Sequence, residues 1–398
     1  MQADPWPRAR RCALALVWGF AASVAIADPI AVQHPVHSSR PELTGMATLA
    51  PDSTWDDALD AGLEVRVFGQ AGLADPSQQI VRRYLQYVPP KLERGAPHPL
   101  VILLHGANVS AEQYRLTDSG ESFERLADRD GFIVVYANGA YAKGATQDYS
   151  PNDPFWANGG TWRTCLGPRG GPDHLVDDVA YLREIIARVK AEGLAVDPSR
   201  IYLAGVSKGA EMAQRAAREM GSEIAGIGLV VSVLGMPATE ALGECGVGAQ
   251  APVSVVQIYS EHDPLLTGKD PAAPLPYAAD MARSGHAWRA AIGVAETPAK
   301  QEALPDRIKE GAQYTGNVPW ALATRDSQVI RYDYPVGRDG AAFRAYVMDH
   351  AGHGWPREGG NSVERAELTV RLGFSNEDFD AAEAIWEFLS AHTPKRSP

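Results

Sequence analysis

The stretch Ile201–Ala213, IYLAGVSKGAEMA, decides the fold. It joins an apolar run to an alanine-rich segment through the pentapeptide GVSKG at residues 205–209. The apolar run is typical of a strand buried on both faces, and the alanines that follow are typical of a helix. Glycines on both sides of a serine permit a sharp strand-to-helix turn that exposes the hydroxyl. The sequence therefore predicts a nucleophile at Ser207.

Strand and helix patterns alternate on both sides of this turn. Strands are predicted at 82–88, 100–104, 131–136, 227–233, 253–259, 329–334 and 343–348, and helices at 120–129, 177–190, 209–220 and 379–389. Such alternation is typical of a parallel sheet covered by helices. With the serine turn, it predicts an α/β chain of the α/β-hydrolase fold, whose central, mostly parallel sheet is flanked by helices.

The catalytic base is expected downstream of the serine, because in this fold the acid and then the histidine follow the nucleophile. His353 lies between two glycines in the loop after strand 343–348. Such a loop allows the imidazole to reach over the serine. His350 is the competing candidate, but it lies nearer the strand end. We expect His353 to be the base and His350 to be a hydrogen-bonded support residue.

The acid is expected in the loop after the preceding strand, 253–259. That loop has the sequence SEHDP at residues 260–264. Asp263 is preferred because the proline after it fixes the backbone and suits a rigid carboxylate. Glu261 and Asp333 are the alternatives.

Two backbone donors are expected to hold the oxyanion that forms during acyl transfer. One is the N–H of Lys208, directly after the nucleophile. The other is expected in the loop after strand 100–104, at the N–H of Ala107. His105 precedes the serine along the chain, so we interpret it as a residue that shapes this loop.

The chain is predicted to begin with a signal peptide, residues 1–27. Three arginines precede an apolar run, which ends at the small-residue cleavage site Ala25-Ile26-Ala27. An uncleaved anchor helix is the alternative. Residues 28–80 have weak periodicity and are interpreted as a linker and irregular segment, and residues 81–398 as one catalytic domain. The expected location is periplasmic or extracellular.

The net charge limits the classes of partner that the protein can bind. A net charge of −12 argues against binding to nucleic acid or to anionic membranes, because both require a basic protein surface. Of the three cysteines, Cys165 and Cys245 remain after signal cleavage. An exported pair favours a disulfide, and two unpaired thiols are the alternative. No metal is expected, and the oligomeric state stays open.

Several segments together resemble the secreted polyhydroxybutyrate-depolymerase-type esterases, a family that includes feruloyl and acetylxylan esterases. They are Tyr84–Pro89, Leu100–Gly106, Gly131–Asn138, Asp177–Arg183, Val196–Ala213, Arg331–Pro335 and Gly352–Pro356. The resemblance implies an exported α/β-hydrolase without a cofactor. It implies that the nucleophile is Ser207, the acid Asp263 and the base His353. It also implies a structural disulfide between Cys165 and Cys245.

These observations predict a secreted serine carboxylic-ester hydrolase whose substrate is a polyester, a feruloyl or acetyl xylan ester, or a small ester. Trp355, beside His353, and Trp156 are candidate pocket residues. One alternative is a serine peptidase of the same fold, and another is a non-catalytic envelope protein that binds a polymer. A third alternative is a metal enzyme with Asp349, His350 and His353 as ligands. These three residues form a poor ligand set without further carboxylates.

Overall fold

A ten-stranded mixed sheet forms the centre of the structure. The computed structural model describes residues 62–72, 75–77, 79–93, 95–106, 111–119, 121–139, 141–143, 148–150, 177–232, 252–263, 276–309, 326–360 and 372–395. Their strands are β1 (Glu64–Ala71), β2 (Gln79–Tyr87), β3 (His98–Leu104), β4 (Ile133–Ala137), β5 (Tyr141–Lys143), β6 (Asp148–Ser150), β7 (Val196–Val206), β8 (Gly226–Val230), β9 (Ser254–Ser260), β10 (Lys300–Ala303), β11 (Val329–Asp333) and β12 (Phe343–Met348).

Helices connect the strands and cover both faces of the sheet. The longer ones are α1 (Ser122–Asp130), α2 (Asp178–Ala191), α3 (Lys208–Met220), α4 (Pro276–Ile292) and α5 (Ala381–Ala391). Short helical turns occur at Ala111–Gln113, Tyr114–Ser119, Gly221–Glu223 and Arg338–Gly340. Within the described ranges, none of the helices is long and apolar enough to cross a bilayer.

The large sheet has the strand order β1-β2-β4-β3-β7-β8-β9-β12-β11-β10. The middle strands, from β4 to β12 in this order, are parallel, whereas the strands outside them pair antiparallel. The loops after β3, β7, β9 and β12 therefore all lie at the carboxyl ends of the parallel strands, on the same side of the molecule. The predicted α/β-hydrolase architecture, with its mostly parallel sheet, is confirmed.

The hydrophobic core lies in two layers, one on each face of the sheet. Along β3, Leu100, Ile102 and Leu104 belong to one layer. Val101 and Leu103 belong to the other. Successive side chains of a strand point to opposite faces, so a strand buried on both faces needs an unbroken apolar run.

The helices divide between these two layers. Leu126 of α1 and Ile385 of α5 pack in the layer of Val101 and Leu103. The opposite layer receives apolar side chains from α2, α3 and α4, including Trp288. This three-layer arrangement holds the parallel strands, and hence the loops at their carboxyl ends, in a fixed register.

The interpretation of residues 28–80 as linker and irregular structure is wrong for Glu64–Ala71, which forms the edge strand β1. Its backbone pairs antiparallel with β2, and Phe68 is buried. Most of the other side chains are exposed or half-buried, because an edge strand is only partly covered. The alternation of Leu63, Val65 and Val67 with Glu64 and Arg66 is a strand signal that was overlooked, and the sheet begins before residue 81.

The stretch around His286 has helix-like spacing, but the bounds of helix α4 were not predicted from the sequence. Its packed face includes Ser284 and Gly285 as well as Trp288. A β-carbon at Gly285 would lie 2.7 Å from the side-chain oxygen of Gln257, so the helix packs closely against β9 at this position. Small residues on the buried face weaken the apolar stripe that marks a helix in sequence. The small strand β10 and the pair β5–β6 were also not predicted.

Neighbouring aspartates at the start of α2 make contrasting contributions. The side chain of Asp177 accepts the N–H of Ala180 and caps the helix. Asp178 pairs with Arg82 at 2.7 Å, with both side chains buried. We expect Asp177→Ala to cost about 1 kcal/mol of unfolding free energy. Asp178→Ala should cost roughly 3–5 kcal/mol, because it leaves the buried guanidinium without this carboxylate. Urea denaturation measures both, and equal losses would contradict this difference.

Candidate active site

The turn between β7 and α3 holds Ser207 in a strained backbone conformation. Its φ is 51° and its ψ is −118°, a region that residues other than glycine rarely adopt. A β-carbon at Gly205 would lie 2.5 Å from the carbonyl carbon of Gly209. A β-carbon at Gly209 would overlap the carbonyl oxygen of Leu104. Both positions therefore need glycine, and the turn presents the half-buried Ser207 at the carboxyl end of β7.

The backbone around Ser207 is tied to its neighbours. The N–H of Ser207 donates to the carbonyl of Val230 at 2.9 Å, which joins the turn to β8. Lys208 is the first residue of α3, where N–H groups lack a partner within the helix. Its ammonium pairs with Glu211 at 2.9 Å. The backbone N–H of Lys208 stays the predicted oxyanion donor, and Ala107, the second, lies outside the described residues.

The structure brings together the predicted acid and base. His353 Nδ1 and Asp263 Oδ2 are 2.5 Å apart, and the side chains are 5% and 0% exposed. The carboxylate accepts the Nδ1 proton, which directs the lone pair of the neutral ring to Nε2. Within the part of the chain that the structure describes, Nε2 is buried and has no hydrogen-bond partner. An imidazole held in this way is prepared to accept a proton at Nε2.

The His353 loop is fixed by its contact with the segment 372–375. The backbone N–H of His353 donates to the carbonyl of Leu372 at 2.6 Å. A β-carbon at Gly352 would lie 2.5 Å from the carbonyl carbon of Gly373. A β-carbon at Gly354 would overlap the hydroxyl of Ser375. Gly352 therefore permits close approach of two backbones, Gly354 leaves room for the side chain of Ser375, and His353 lies in the interior.

The competing base, His350, lies in a different environment. Its side chain is 47% exposed. Its ring stacks on that of His262, with centroids 4.4 Å apart, and His262 Nδ1 lies 2.6 Å from the backbone oxygen of Asp349. These contacts join the loop after β9 to the loop after β12. His350 thus has a support position beside the acid–base pair.

The alternative acids are not joined to His353. Asp333 pairs with Arg331 at 3.0 Å and with Arg344 at 2.5 Å. Glu261 is exposed. Among the described residues, no group of three or more histidine, cysteine, aspartate or glutamate side chains is arranged to hold a metal ion.

One sequence prediction needs correction: Trp355 is a core residue rather than a pocket residue. It is 0% exposed and packs edge-on against Tyr114 and Phe123, with ring centroids 5.5 and 6.1 Å away. Burial of so large an apolar surface stabilises the loop that carries His353. Trp156, Cys165 and Cys245 lie outside the described residues.

His105 is a neutral residue that joins two loops. It is fully buried, and burial lowers its pKa to about 3. Its Nε2 accepts the N–H of Gly139 at 2.9 Å, so Nδ1 carries the proton and donates to the carbonyl of Gly106 at 2.7 Å. The interpretation of His105 as a loop-shaping residue agrees with these contacts. Its partner in the loop after β4 was not foreseen from the sequence.

A sequence match over the central part of the chain relates that part to a known family. The family model described as esterase PHB depolymerase matches residues 82–257. This segment belongs to that family. The match includes the Ser207 turn and ends within β9, upstream of Asp263 and His353. It confirms the predicted resemblance and shows that the chain is a carboxylic-ester hydrolase. No curated protein matches the chain significantly.

Solved esterase and hydrolase structures resemble the chain at low identity. Acetyl xylan esterase from Aspergillus awamori is 13% identical, with a TM-score of 0.44, over 73% of this chain and 94% of that one. A structure described as native pOPH is 16% identical, with a TM-score of 0.41, over 84% and 91%. S-formylglutathione hydrolase from Agrobacterium tumefaciens is 16% identical, with a TM-score of 0.38, over 57% and 82%. At these scores the likenesses say nothing about the substrate of this esterase.

The low pKa of His105 predicts a pH-dependent contribution to stability. Unfolded histidine binds a proton below about pH 6.5, whereas folded His105 stays neutral until about pH 3. The unfolded state therefore binds more protons in this interval, and falling pH removes stability. His105→Asn keeps a side-chain donor and abolishes the titration.

We expect the stability of the wild type relative to this variant to fall by about 1.4 kcal/mol per pH unit between roughly pH 6 and pH 4. Urea denaturation of both proteins at several pH values measures this difference. Parallel pH curves for the two proteins would contradict a buried neutral His105.

Proposed function

We propose that this esterase hydrolyses carboxylic esters with Ser207 as nucleophile, His353 as base and Asp263 as orienting acid. The observation that carries the proposal is the buried Asp263–His353 hydrogen bond of 2.5 Å, combined with an unpartnered Nε2 among the described residues. Ser207 follows β7, and its strained turn exposes the hydroxyl at the carboxyl ends of the parallel strands. The loops of the acid and the base begin at the same ends.

The chemistry proceeds in two acyl-transfer steps. Ser207 Oγ attacks the ester carbonyl carbon while His353 Nε2 takes the hydroxyl proton. The tetrahedral intermediate collapses, the proton passes from Nε2 to the departing alkoxide, and an acyl-serine ester remains. Water then attacks the acyl carbon and gives its proton to Nε2. Collapse releases the carboxylic acid and returns the proton to Ser207.

Electrostatics supports both steps. Asp263 stabilises the imidazolium that forms when His353 holds the extra proton, and burial of both side chains strengthens the attraction. The N–H groups of Lys208 and Ala107 are proposed to stabilise the negative charge on the carbonyl oxygen. The alkoxide of an ester is a better leaving group than the amide nitrogen of a peptide, which favours ester hydrolysis.

The substrate proposed here is a polyester of the hydroxyalkanoate type or a feruloyl or acetyl ester on xylan. The family match to PHB depolymerase esterases supports the first, and the resemblance of the sequence motifs supports both. Release of hydroxy acid from a polyester film, of ferulate from feruloylated xylan and of acetate from acetylated xylan discriminates among them.

Export is proposed from the arginine-rich start, the apolar run and the site Ala25-Ile26-Ala27. Export favours a disulfide between Cys165 and Cys245. Expression with the native leader should give a mature protein that begins at Asp28 and has no free thiol after denaturation. Intact-mass measurement checks both. Retention of residues 1–27 would contradict cleavage, and alkylation of both cysteines without reductant would contradict the disulfide.

Substitution of each triad residue tests the catalytic assignment. We expect Ser207→Ala to lower kcat for a p-nitrophenyl butyrate substrate by at least about 10⁴-fold, since the nucleophile is lost. Asp263→Asn should lower kcat by roughly 10³- to 10⁴-fold, because the imidazole loses its orienting charge. His353→Gln should resemble Ser207→Ala, whereas His350→Gln should retain most of the activity.

These kinetic measurements need matched circular dichroism spectra and melting temperatures, so that loss of fold is separated from loss of chemistry. Full activity in folded Asp263→Asn or His353→Gln would show that another acid or base serves Ser207. A large loss of activity in His350→Gln, with the activity of His353→Gln unaffected, would show that His350 rather than His353 is the base.

A further inference from the structure

The chain leaves β8 through a strained residue, Val231. Its φ is 42°, in the left-handed region, where a β-branched side chain is a steric outlier. The side chain is 0% exposed and lies in the same core layer as that of Val230. Successive side chains of a regular strand alternate between the two layers, so the chain turns out of the sheet at this residue. Backbone strain of this kind persists only where the surrounding structure enforces it.

The peptide group on the amino side of Val231 joins the nucleophile turn to β9. Its carbonyl, that of Val230, accepts the N–H of Ser207 at 2.9 Å. Its N–H, that of Val231, donates to the carbonyl of Ile258 at 2.8 Å. Strand β9 leads into the loop of Asp263. One planar peptide group is thus fixed from both sides, by the nucleophile and by the strand that precedes the acid.

On the carboxyl side of Val231, Ser232 is hydrogen-bonded to the helix of the nucleophile. Its Oγ accepts a proton from Nε2 of Gln214 at 2.9 Å, and the two side chains are 1% and 2% exposed. Gln214 lies in α3, which begins directly after Ser207. Its Oε1 accepts the indole N–H of Trp288 at 3.0 Å, which fixes the carboxamide. Displacement of Ser232 would therefore break a buried hydrogen bond, which is costly.

Val231 lies between these two attachments, and its φ is the torsion on which both depend. This angle sets the orientation of the preceding peptide group relative to the chain that continues to Ser232. Rotation of Val231 to a negative φ, which its side chain favours, would move either the carbonyl bonded to Ser207 or the hydroxyl bonded to Gln214. The two hydrogen bonds together therefore hold the strained conformation.

We propose that Ser232 is a positioning residue for the nucleophile. Its hydrogen bond to Gln214 holds Val231 in the strained conformation. That conformation keeps the preceding carbonyl on the N–H of Ser207 and so fixes the position of the serine. This inference rests on the proposed acyl-transfer function, and it concerns the placement of the nucleophile rather than the binding of substrate.

The strain is measured by comparing glycine with alanine at residue 231. A left-handed φ suits glycine and opposes alanine, whereas a regular strand favours alanine. We expect Val231→Gly to unfold at a urea midpoint equal to or above that of Val231→Ala. Val255, 0% exposed in β9, is the reference position, where Val255→Gly should have a lower midpoint than Val255→Ala. A deficit of glycine at residue 231 as large as that at residue 255 would overturn the proposal.

The positioning role should appear in kcat and depend on the strain. We expect Ser232→Ala to lower kcat for p-nitrophenyl butyrate by roughly 10-fold in the Val231→Ala background, because a small misplacement of a reacting group is costly. KM should change by less than about twofold. In the Val231→Gly background the same substitution should lower kcat by less than about threefold, since glycine adopts the left-handed φ without being held. A serine with a purely structural role would give equal losses in both backgrounds.

Ser254→Ala is the matched control for the loss of a buried serine. Ser254 is 0% exposed at the start of β9, at the end of the strand opposite the site. Its hydroxyl accepts the N–H of Ala342 at 3.2 Å and donates to the carbonyl of His392. We expect Ser254→Ala to lower the urea midpoint and to leave kcat and KM unchanged.

The outcomes are distinct. A kcat of Ser232→Ala equal to that of the wild type, in protein shown to be folded by circular dichroism, would overturn the positioning role. Equal losses of kcat in the glycine and alanine backgrounds would overturn it too, as would an equal loss in Ser254→Ala. In each of these cases the wild type hydrolyses the ester and the esterase assignment stands. Absence of ester hydrolysis by the wild type would instead contradict the proposed function.

Discussion

The close approach of Gly209 to the end of β3 is the contact on which the site depends. The first turn of α3 lies so near the carbonyls of Leu104 and His105 that no β-carbon fits at Gly209. This contact brings the nucleophile turn against the loop after β3, and Gly205 permits the same turn to fold back on itself. The strained backbone of Ser207 is held because the strands and the helix on either side are buried.

The polar groups around this contact are buried and hydrogen-bonded rather than solvated. His105 is kept neutral by burial, so it binds two loops without titrating in the physiological range. Asp263 and His353 form a second buried pair, in which a carboxylate accepts the Nδ1 proton of a neutral imidazole. Fixed dipoles and one buried carboxylate therefore take the place of water that would otherwise reorganise during the reaction, and such preorganisation lowers the barrier to charge development.

The sequence predicts those parts of the structure that depend on local patterns. The Ser207 turn is recognisable because a strand, two glycines and a helix are contiguous, and the parallel strands show as unbroken apolar runs. The strand β1 is marked by the alternation of Leu63, Val65 and Val67 with Glu64 and Arg66, but this signal is confined to five residues within a polar segment, and it was overlooked. The contact between His105 and Gly139 was not foreseen because the two residues lie 34 positions apart in sequence. Trp355 was misplaced because sequence adjacency to His353 does not show which way a side chain points.

Labelling of the purified mature protein with a fluorophosphonate probe, followed by mass spectrometry of its tryptic peptides, tests the central claim most directly. Trypsin cleavage after Arg200 and Lys208 releases Ser207 in the peptide IYLAGVSK. The account predicts a probe adduct on Ser207 in this peptide. Excess p-nitrophenyl butyrate should slow the formation of the adduct, and no adduct should form when Asp263 and His353 are both replaced. A folded protein that gives no adduct, or an adduct on a different serine, would contradict it.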